Sequence, residues 1–112
     1  MEEGTDLSFL QGLTNLTLLG LEGNQLTRLS FPEGLDSLTR LYLGDNRLTD
    51  FSFLRGRSNL AVLDLWGNEL TRLSLPEGLD GLASLEVHGN PLADLEVPLG
   101  FNLEELSING VT

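Results

Sequence analysis

Residues 16–26 read LTLLGLEGNQL, and close copies of this stretch return three times at a constant spacing of 22 residues. The copies are LTRLYLGDNRL at 38–48, LAVLDLWGNEL at 60–70 and LASLEVHGNPL at 82–92. Self-similarity at a fixed period of this size is typical of a solenoid, in which every repeat stacks on its neighbours. The spacing therefore predicts a repeat protein in which one local structure is built several times.

A shorter fifth copy follows the four full ones. It arrives one residue early and carries Leu103, Leu106 and Ile108, with Val111 in the place of the repeated Asn. We therefore predict one domain over residues 1–112, in which 1–15 form a partial N-terminal repeat, 16–102 hold four full repeats and 103–112 form a partial C-terminal repeat.

The centre of each copy alternates apolar and variable residues with a period of two. Side chains alternate across a β-strand, so the two apolar residues are expected to point inward and the variable ones outward. We predict strands centred on Leu19 and Leu21, Leu41 and Leu43, Leu63 and Leu65, Leu85 and Val87, and Leu106 and Ile108. The predicted fold class is a right-handed α/β solenoid, mostly β, with a concave parallel sheet and short turns or 3₁₀ segments on the convex side.

An Asn recurs three residues after the second inward position. Its side-chain amide can bond the buried backbone groups of the sharp turn that follows a strand, which predicts a ladder of Asn24, Asn46, Asn68 and Asn90. Glycine, which adopts tight bends without strain, precedes three of them at Gly23, Gly67 and Gly89, and Asp45 is the exception.

The return halves of the repeats alternate between two kinds. Residues 26–38 and 70–82 agree at 11 of 13 positions, and their L-x-L-x-P pattern predicts an extended segment followed by a turn at Pro32 and Pro76. The second kind reads TDFSFL at 49–54 and TDLSFL at 5–10, with Asp94 in the corresponding place of the fourth repeat. There an Asp can accept backbone N–H groups and start a short helical turn.

The pattern L-x-x-L-x-L-x-x-N-x-L resembles that of leucine-rich repeat proteins over essentially the whole chain. The paired units, especially L-T-x-L-x-L-P-E-G-L, resemble bacterial members more than animal receptor ectodomains, whose Cys-rich end caps this sequence lacks. The resemblance implies binding of a protein or peptide on the concave face. The ubiquitin-ligase activity of some bacterial relatives depends on a catalytic Cys and does not carry over.

Composition excludes several classes of function. The 112 residues hold 17 acidic and 6 basic side chains, a net charge of −11, so bulk charge gives no basis for nucleic-acid binding. There is no Cys and one His, which removes thiolate chemistry and most imidazole chemistry, and we expect no cofactor and no metal. No signal-like start and no long apolar run is visible, so we expect no membrane contact and a cytoplasmic location.

The outward strand positions form three columns. The first holds Leu18, Arg40, Val62, Ser84 and Glu105; the second Gly20, Tyr42, Asp64, Glu86 and Ser107; the third Glu22, Gly44, Trp66, His88 and Asn109. The only Trp, Tyr and His of the chain therefore fall on one face, in consecutive strands. The partner-binding residues that we predict are Leu18, Arg40, Tyr42, Asp45, Val62, Asp64, Trp66, Glu86 and His88.

Two interpretations of this face compete. Aromatic residues that need no burial are typical anchors of protein interfaces, but they can also merely pack across strands or coincide by chance. The acidic side chains of this face would favour a basic partner. Alternatively, a chain with so many acidic residues must place some of them on every surface. A metal site of Asp64, Glu86 and His88 is sterically conceivable but lacks a fourth ligand.

We predict a non-catalytic protein or peptide interaction module. An enzyme is disfavoured because no nucleophile with a paired acid and base is visible. The alternative is a structural or self-assembling unit, because no convincing cap covers the terminal repeats and an uncovered strand edge beside Leu103, Leu106 and Ile108 would invite weak homo-oligomers.

Overall fold

The structure is a computed structural model that describes residues 5–7, 10, 12–31, 35–96 and 105–107. Its strands are two or three residues long, as expected where the chain turns after each inward pair. In chain order they are β1 (Thr5–Asp6), β2 (Leu18–Gly20), β3 (Leu29–Ser30), β4 (Arg40–Tyr42), β5 (Val62–Asp64), β6 (Arg72–Ser74), β7 (Ser84–Glu86), β8 (Asp94–Glu96) and β9 (Glu105–Ser107). A 3₁₀ helix covers Ser52–Leu54.

The repeated strands form one five-stranded parallel sheet in the order β2-β4-β5-β7-β9, which we call the main sheet. The register pairs Leu19, Leu41, Leu63, Leu85 and Leu106 in one row across the sheet. Residues that are one 22-residue repeat apart in the sequence therefore lie on neighbouring strands of the main sheet. The prediction of a mostly β, parallel solenoid with almost no helix is confirmed. Ile108 lies outside the described residues.

The inward side chains of the main sheet form the leucine core. Leu41, Leu43, Leu63, Leu65, Leu85 and Val87 are all fully buried. Each such side chain stabilises the fold by about 1.5 to 3 kcal/mol relative to an exposed one. In the first strand the equivalent side chains of Leu19 and Leu21 are only half-buried. The inward side chains of the repeats at 38–48, 60–70 and 82–92 are therefore more completely buried than those of the repeat at 16–26.

Three Asn side chains form the ladder that the sequence predicts. The Oδ1 atom of Asn46 accepts the N–H groups of Asn24 (3.0 Å) and Leu26 (2.9 Å), which both belong to the preceding repeat. Its Nδ2 group donates to the carbonyls of Leu21 and Leu43, both at 3.0 Å. Asn90 repeats this arrangement two steps further along, and Asn68, one step along, makes the equivalent donor bonds and accepts the N–H of Leu48. Each amide therefore closes its own turn and ties it to the turn before.

The first member of the series differs from the others. Asn46, Asn68 and Asn90 are 3%, 1% and 0% exposed, whereas Asn24 is exposed to solvent. Among the described residues its Nδ2 group donates within its own repeat, to the carbonyls of Leu21 (2.9 Å) and Glu22 (3.1 Å). Asn24 thus provides a natural control for the three buried ones.

The return halves follow the two kinds that the sequence distinguishes. The extended prediction for the first kind is confirmed, since β3 and β6 occupy it and pair in parallel with β1 and β8. A turn follows Pro76 at Glu77 and Gly78, while Pro32 lies outside the described residues.

The helical turn predicted for the second kind is present at Asp50. The carboxylate of Asp50 accepts the N–H of Ser52 at 3.0 Å, just where the 3₁₀ helix begins. This backbone hydrogen bond, the hydroxyl of Ser52 and the charge of Arg28 together lower the pKa of Asp50. The same prediction is wrong at Asp94, which lies in strand β8 instead. Strand β8 pairs in parallel with β6, so the backbone at Asp94 is extended.

Residue 45 shows how strictly the turn before each ladder Asn fixes the backbone. Asp45 has φ of +57°, close to the values of +72°, +65° and +73° at Gly23, Gly67 and Gly89. Asp tolerates this left-handed region better than most residues, whereas β-branched residues do not.

We therefore expect Asp45→Gly to change the free energy of unfolding by less than about 1 kcal/mol, and Asp45→Val to cost about 1 to 2 kcal/mol. Chemical denaturation of both variants measures the difference. Equal stability of the two would contradict a left-handed requirement at this turn.

Candidate functional site

The main sheet places the predicted outward columns in register. Backbone pairing puts Leu18, Arg40, Val62, Ser84 and Glu105 in one row, and Gly20, Tyr42, Asp64, Glu86 and Ser107 in the next. The third column follows from hydrogen bonds that continue past the strands, in which the carbonyls of Gly44, Trp66 and His88 accept the N–H groups of Gly23, Asp45 and Gly67. Asn109 lies outside the described residues. We call the outward side of this arrangement the sheet face.

All nine predicted partner-binding residues lie within these columns or beside them. The structure therefore brings together on neighbouring strands what the sequence separates by 22 residues. Their exposure is uneven, since Leu18 is 47% exposed and Arg40 and Asp45 are exposed. Half-buried side chains make up the rest of the set: Tyr42, Val62, Asp64, Trp66, Glu86 and His88.

Trp66 lies down on the sheet. A Cβ atom placed on Gly44 would fall within 1.9 Å of the indole Nε1 atom, so the ring occupies the space that a side chain at position 44 would need. On the other side the imidazole of His88 stacks on the indole, with ring centroids 6.2 Å apart and planes 7° from parallel. The three residues form a continuous layer across three strands, which we call the Gly44 seat.

The sequence does not predict this layer, because Trp66 is expected there to be an exposed anchor that needs no burial. The structure shows a half-buried ring that is held in one orientation from both sides. The available signal was the lone Gly in the third column, one repeat before the Trp. A rigid, partly covered aromatic loses little entropy when a partner contacts it, because its rotamer is already fixed.

Polar groups of the sheet face are partly engaged by the protein itself. A carboxylate oxygen of Asp64 accepts the N–H of Trp66 at 3.1 Å, which holds the start of the turn beside the seat. The Nδ1 atom of His88 is enclosed and has no hydrogen-bond partner. Within the described ranges no group of three or more His, Asp or Glu residues is placed to hold a metal ion. The ring of His88 contributes to this surface through its stack on Trp66.

The part of the chain that the structure describes contains no helix long and apolar enough to cross a membrane.

Comparison with known proteins gives one match. The family described as Leucine Rich repeats (2 copies) matches residues 14–56. The same strand register and the same Asn geometry continue beyond that stretch, at β5, β7, Asn68 and Asn90. Residues 14–56 are therefore leucine-rich repeats, and the described repeats that follow them have the same geometry.

Leucine-rich repeats generally mediate protein interactions and are typically non-catalytic. A search of curated proteins and a search of solved structures each found no match to the chain.

Proposed function

We propose that this protein is a non-catalytic interaction module, formed by one domain over residues 1–112, that binds a protein or peptide through its sheet face. The proposal rests on one observation. Three consecutive repeats place the aromatic side chains of Tyr42, Trp66 and His88 on one face. Exposed Leu18 and half-buried Val62 extend the apolar area beside them. Contiguous apolar area on a folded surface supports a role in recognition.

The charge of the surface supports a basic partner. Asp45, Asp64 and Glu86 contribute negative charge, against which Arg40 is the cation of the same columns. The whole chain adds a net charge of −11, which attracts positively charged partners from a distance and raises their association rate. A basic or mixed peptide surface that carries apolar side chains fits both properties.

Two further parts of the proposal rest on the sequence. The P-E-G-L units at 32–35 and 76–79 support a protein of the bacterial type, and the absence of cysteine is consistent with a reducing compartment such as the cytoplasm.

Affinity capture tests the proposal. Wild-type protein, the double variant Tyr42→Ala/Trp66→Ala and the control Arg28→Ala are immobilised and exposed to the same bacterial lysate. We expect a partner that the wild type and the control retain and the double variant loses. A partner that all three capture equally would show that the sheet face is not the binding surface.

A second candidate function is self-assembly, favoured by the N-terminal side of the described solenoid. Leu16, Leu19 and Leu21 are half-buried there, and Leu13 and Leu18 are each 47% exposed. Burial of such side chains against a second copy would stabilise an oligomer, whereas the charge of −11 opposes it. The terminal Leu103 and Ile108, on which the sequence argument also rests, lie outside the described residues.

If the self-assembly function is correct, association will increase with protein concentration and strengthen when salt screens the acidic side chains. Sedimentation velocity at low and high salt measures both effects. A strict monomer at millimolar concentration in both buffers would remove this candidate and leave the interaction module.

A further inference from the structure

A groove opens on the return side of the solenoid, away from the main sheet. Its volume is about 540 Å³, and it is lined by residues of 49–52, 69–72 and 74–76 together with Arg55. This volume lies within the range of ligand pockets. We call it the β6 groove, because strand β6 forms one of its walls and the start of the 3₁₀ helix forms the other.

The groove exists because the two kinds of return half meet there. The extended β6 strand can pair with a neighbouring strand along each of its two edges, and β8 occupies one of them. On the other side the chain turns into the 3₁₀ helix after Asp50, so it does not continue as a strand. In the described part of the chain β6 belongs to a two-stranded sheet with β8 alone.

Backbone hydrogen bonds show which groups of β6 face the groove. The carbonyl of Thr71 accepts the N–H of Ala93 at 2.9 Å, and the N–H of Leu75 donates to Glu96 at 3.2 Å. Backbone groups of successive strand residues point to opposite edges, so those of Arg72 and Ser74 point away from β8 and into the groove. Among the described residues none of their backbone groups bonds the wall at 49–52.

An edge of this kind is a template for a further strand, since an added peptide can form backbone hydrogen bonds with it. Buried Phe51, Leu70 and Leu75 supply apolar side chains to the lining. Arg72 and Ser74 are exposed residues that line the groove. The β6 groove thus combines a hydrogen-bonding edge with an apolar lining.

Charge selects the class of peptide. The rim carries the carboxylates of Asp50 and Glu69, while the guanidinium of Arg72 is already paired with Asp94, at 3.8 Å between Nε and Oδ2. Arg55 is the other cation of the lining. The net charge of −11 favours a cationic ligand and repels a second copy of the chain.

We propose that the β6 groove binds an extended peptide of net positive charge, which adds a parallel strand to the free edge of β6. The site is separate from the sheet face. In the main sheet, inward residues donate to the following strand, as Leu43 does to Asp64 and Leu65 to Glu86, both at 2.8 Å. The inward residues of the added strand therefore donate to the carbonyls of Arg72 and Ser74.

The test uses the labelled probe Lys-Val-Lys-Val-Lys and fluorescence anisotropy at low salt. Valine faces the apolar lining, so methylation of both valine amides removes the donors to β6 and is expected to weaken binding about tenfold. Methylation of the lysine amides, which face the opposite wall, is expected to leave the affinity unchanged. Equal losses from both methylated probes, or no binding of the parent probe, would overturn the proposal.

Four further measurements separate this site from others. Ser74→Pro removes one N–H that faces the groove while the bonds to β8 remain, and we expect about tenfold weaker binding. A Glu-Val-Glu-Val-Glu probe that binds as well as the lysine probe would contradict the charge argument. Loss of probe binding in Trp66→Ala would place the peptide on the sheet face. If the wild type self-associates and Ser74→Pro removes this association, a second copy of the chain occupies the groove. Either result would overturn the proposal.

Discussion

Replacement of Asn68 by Ala is expected to lower the free energy of unfolding by about 2 to 3 kcal/mol. The Asn68 side chain is 1% exposed and donates to the carbonyls of Leu43 and Leu65, both at 3.0 Å. It also accepts the N–H of Leu48 at 3.0 Å. An alanine leaves these buried backbone groups without partners, and an unsatisfied buried group costs more than a hydrogen bond contributes.

Asn24→Ala is the matched control for this experiment. The same residue type occupies the same place in the repeat, but its side chain is exposed and water can replace its hydrogen bonds. We expect a loss below about 1 kcal/mol. Urea denaturation of both variants at the same pH gives the two values. Equal losses of unfolding free energy in the two variants would show that the stabilisation by a ladder Asn does not depend on its burial.

The second large effect concerns binding. We expect Trp66→Ala to lower the affinity for the captured partner about 30-fold, equivalent to about 2 kcal/mol of binding free energy. The reason is that the seated indole is the largest side chain of the sheet face. The ring also packs on Gly44 and His88, so the same substitution is expected to lower the free energy of unfolding by about 1 kcal/mol. Calorimetric titration well below the melting temperature separates the two effects.

Gly44→Ala provides a second variant that keeps the indole but moves it. The added Cβ would overlap the ring at 1.9 Å from Nε1, so the Trp66 side chain must leave its seat and its stack with His88. If the seat orients Trp66 for binding, this variant also loses affinity. Wild-type affinity in both Trp66→Ala and Gly44→Ala would contradict an anchor at this place.

The main sheet and the ladder could be predicted from the sequence because a single local pattern recurs in constant register. The pairing of Leu41 with Leu63 and the burial of Asn68 follow from the 22-residue period alone. Each repeat repeats the same local interactions, so four copies of a motif report the same geometry four times. The outward columns, and hence the membership of the candidate site, follow from the same register.

The remaining features depend on interactions between neighbouring repeats that are not identical. Asp94 lies in strand β8, which pairs with β6, although the pattern that it shares with Asp50 predicts a turn. The orientation of Trp66 depends on the missing side chain of Gly44 one strand away. The β6 groove likewise arises only where an extended return half meets a 3₁₀ one. Such pairings require knowledge of both repeats at once.

The most direct test of the sheet face as the binding surface is radical footprinting of the protein alone and with its captured partner. Tyr42 and Trp66 are the only residues of their types in the chain, so their oxidation reports on this face without ambiguity. Phe31 and Phe53, which pack on each other at 5.2 Å outside the main sheet and are half-buried, serve as references. We predict that the partner reduces oxidation of Tyr42 and Trp66 and leaves that of Phe31 and Phe53 unchanged. Protection of the two phenylalanines with no change at Tyr42 and Trp66 would contradict the proposed function.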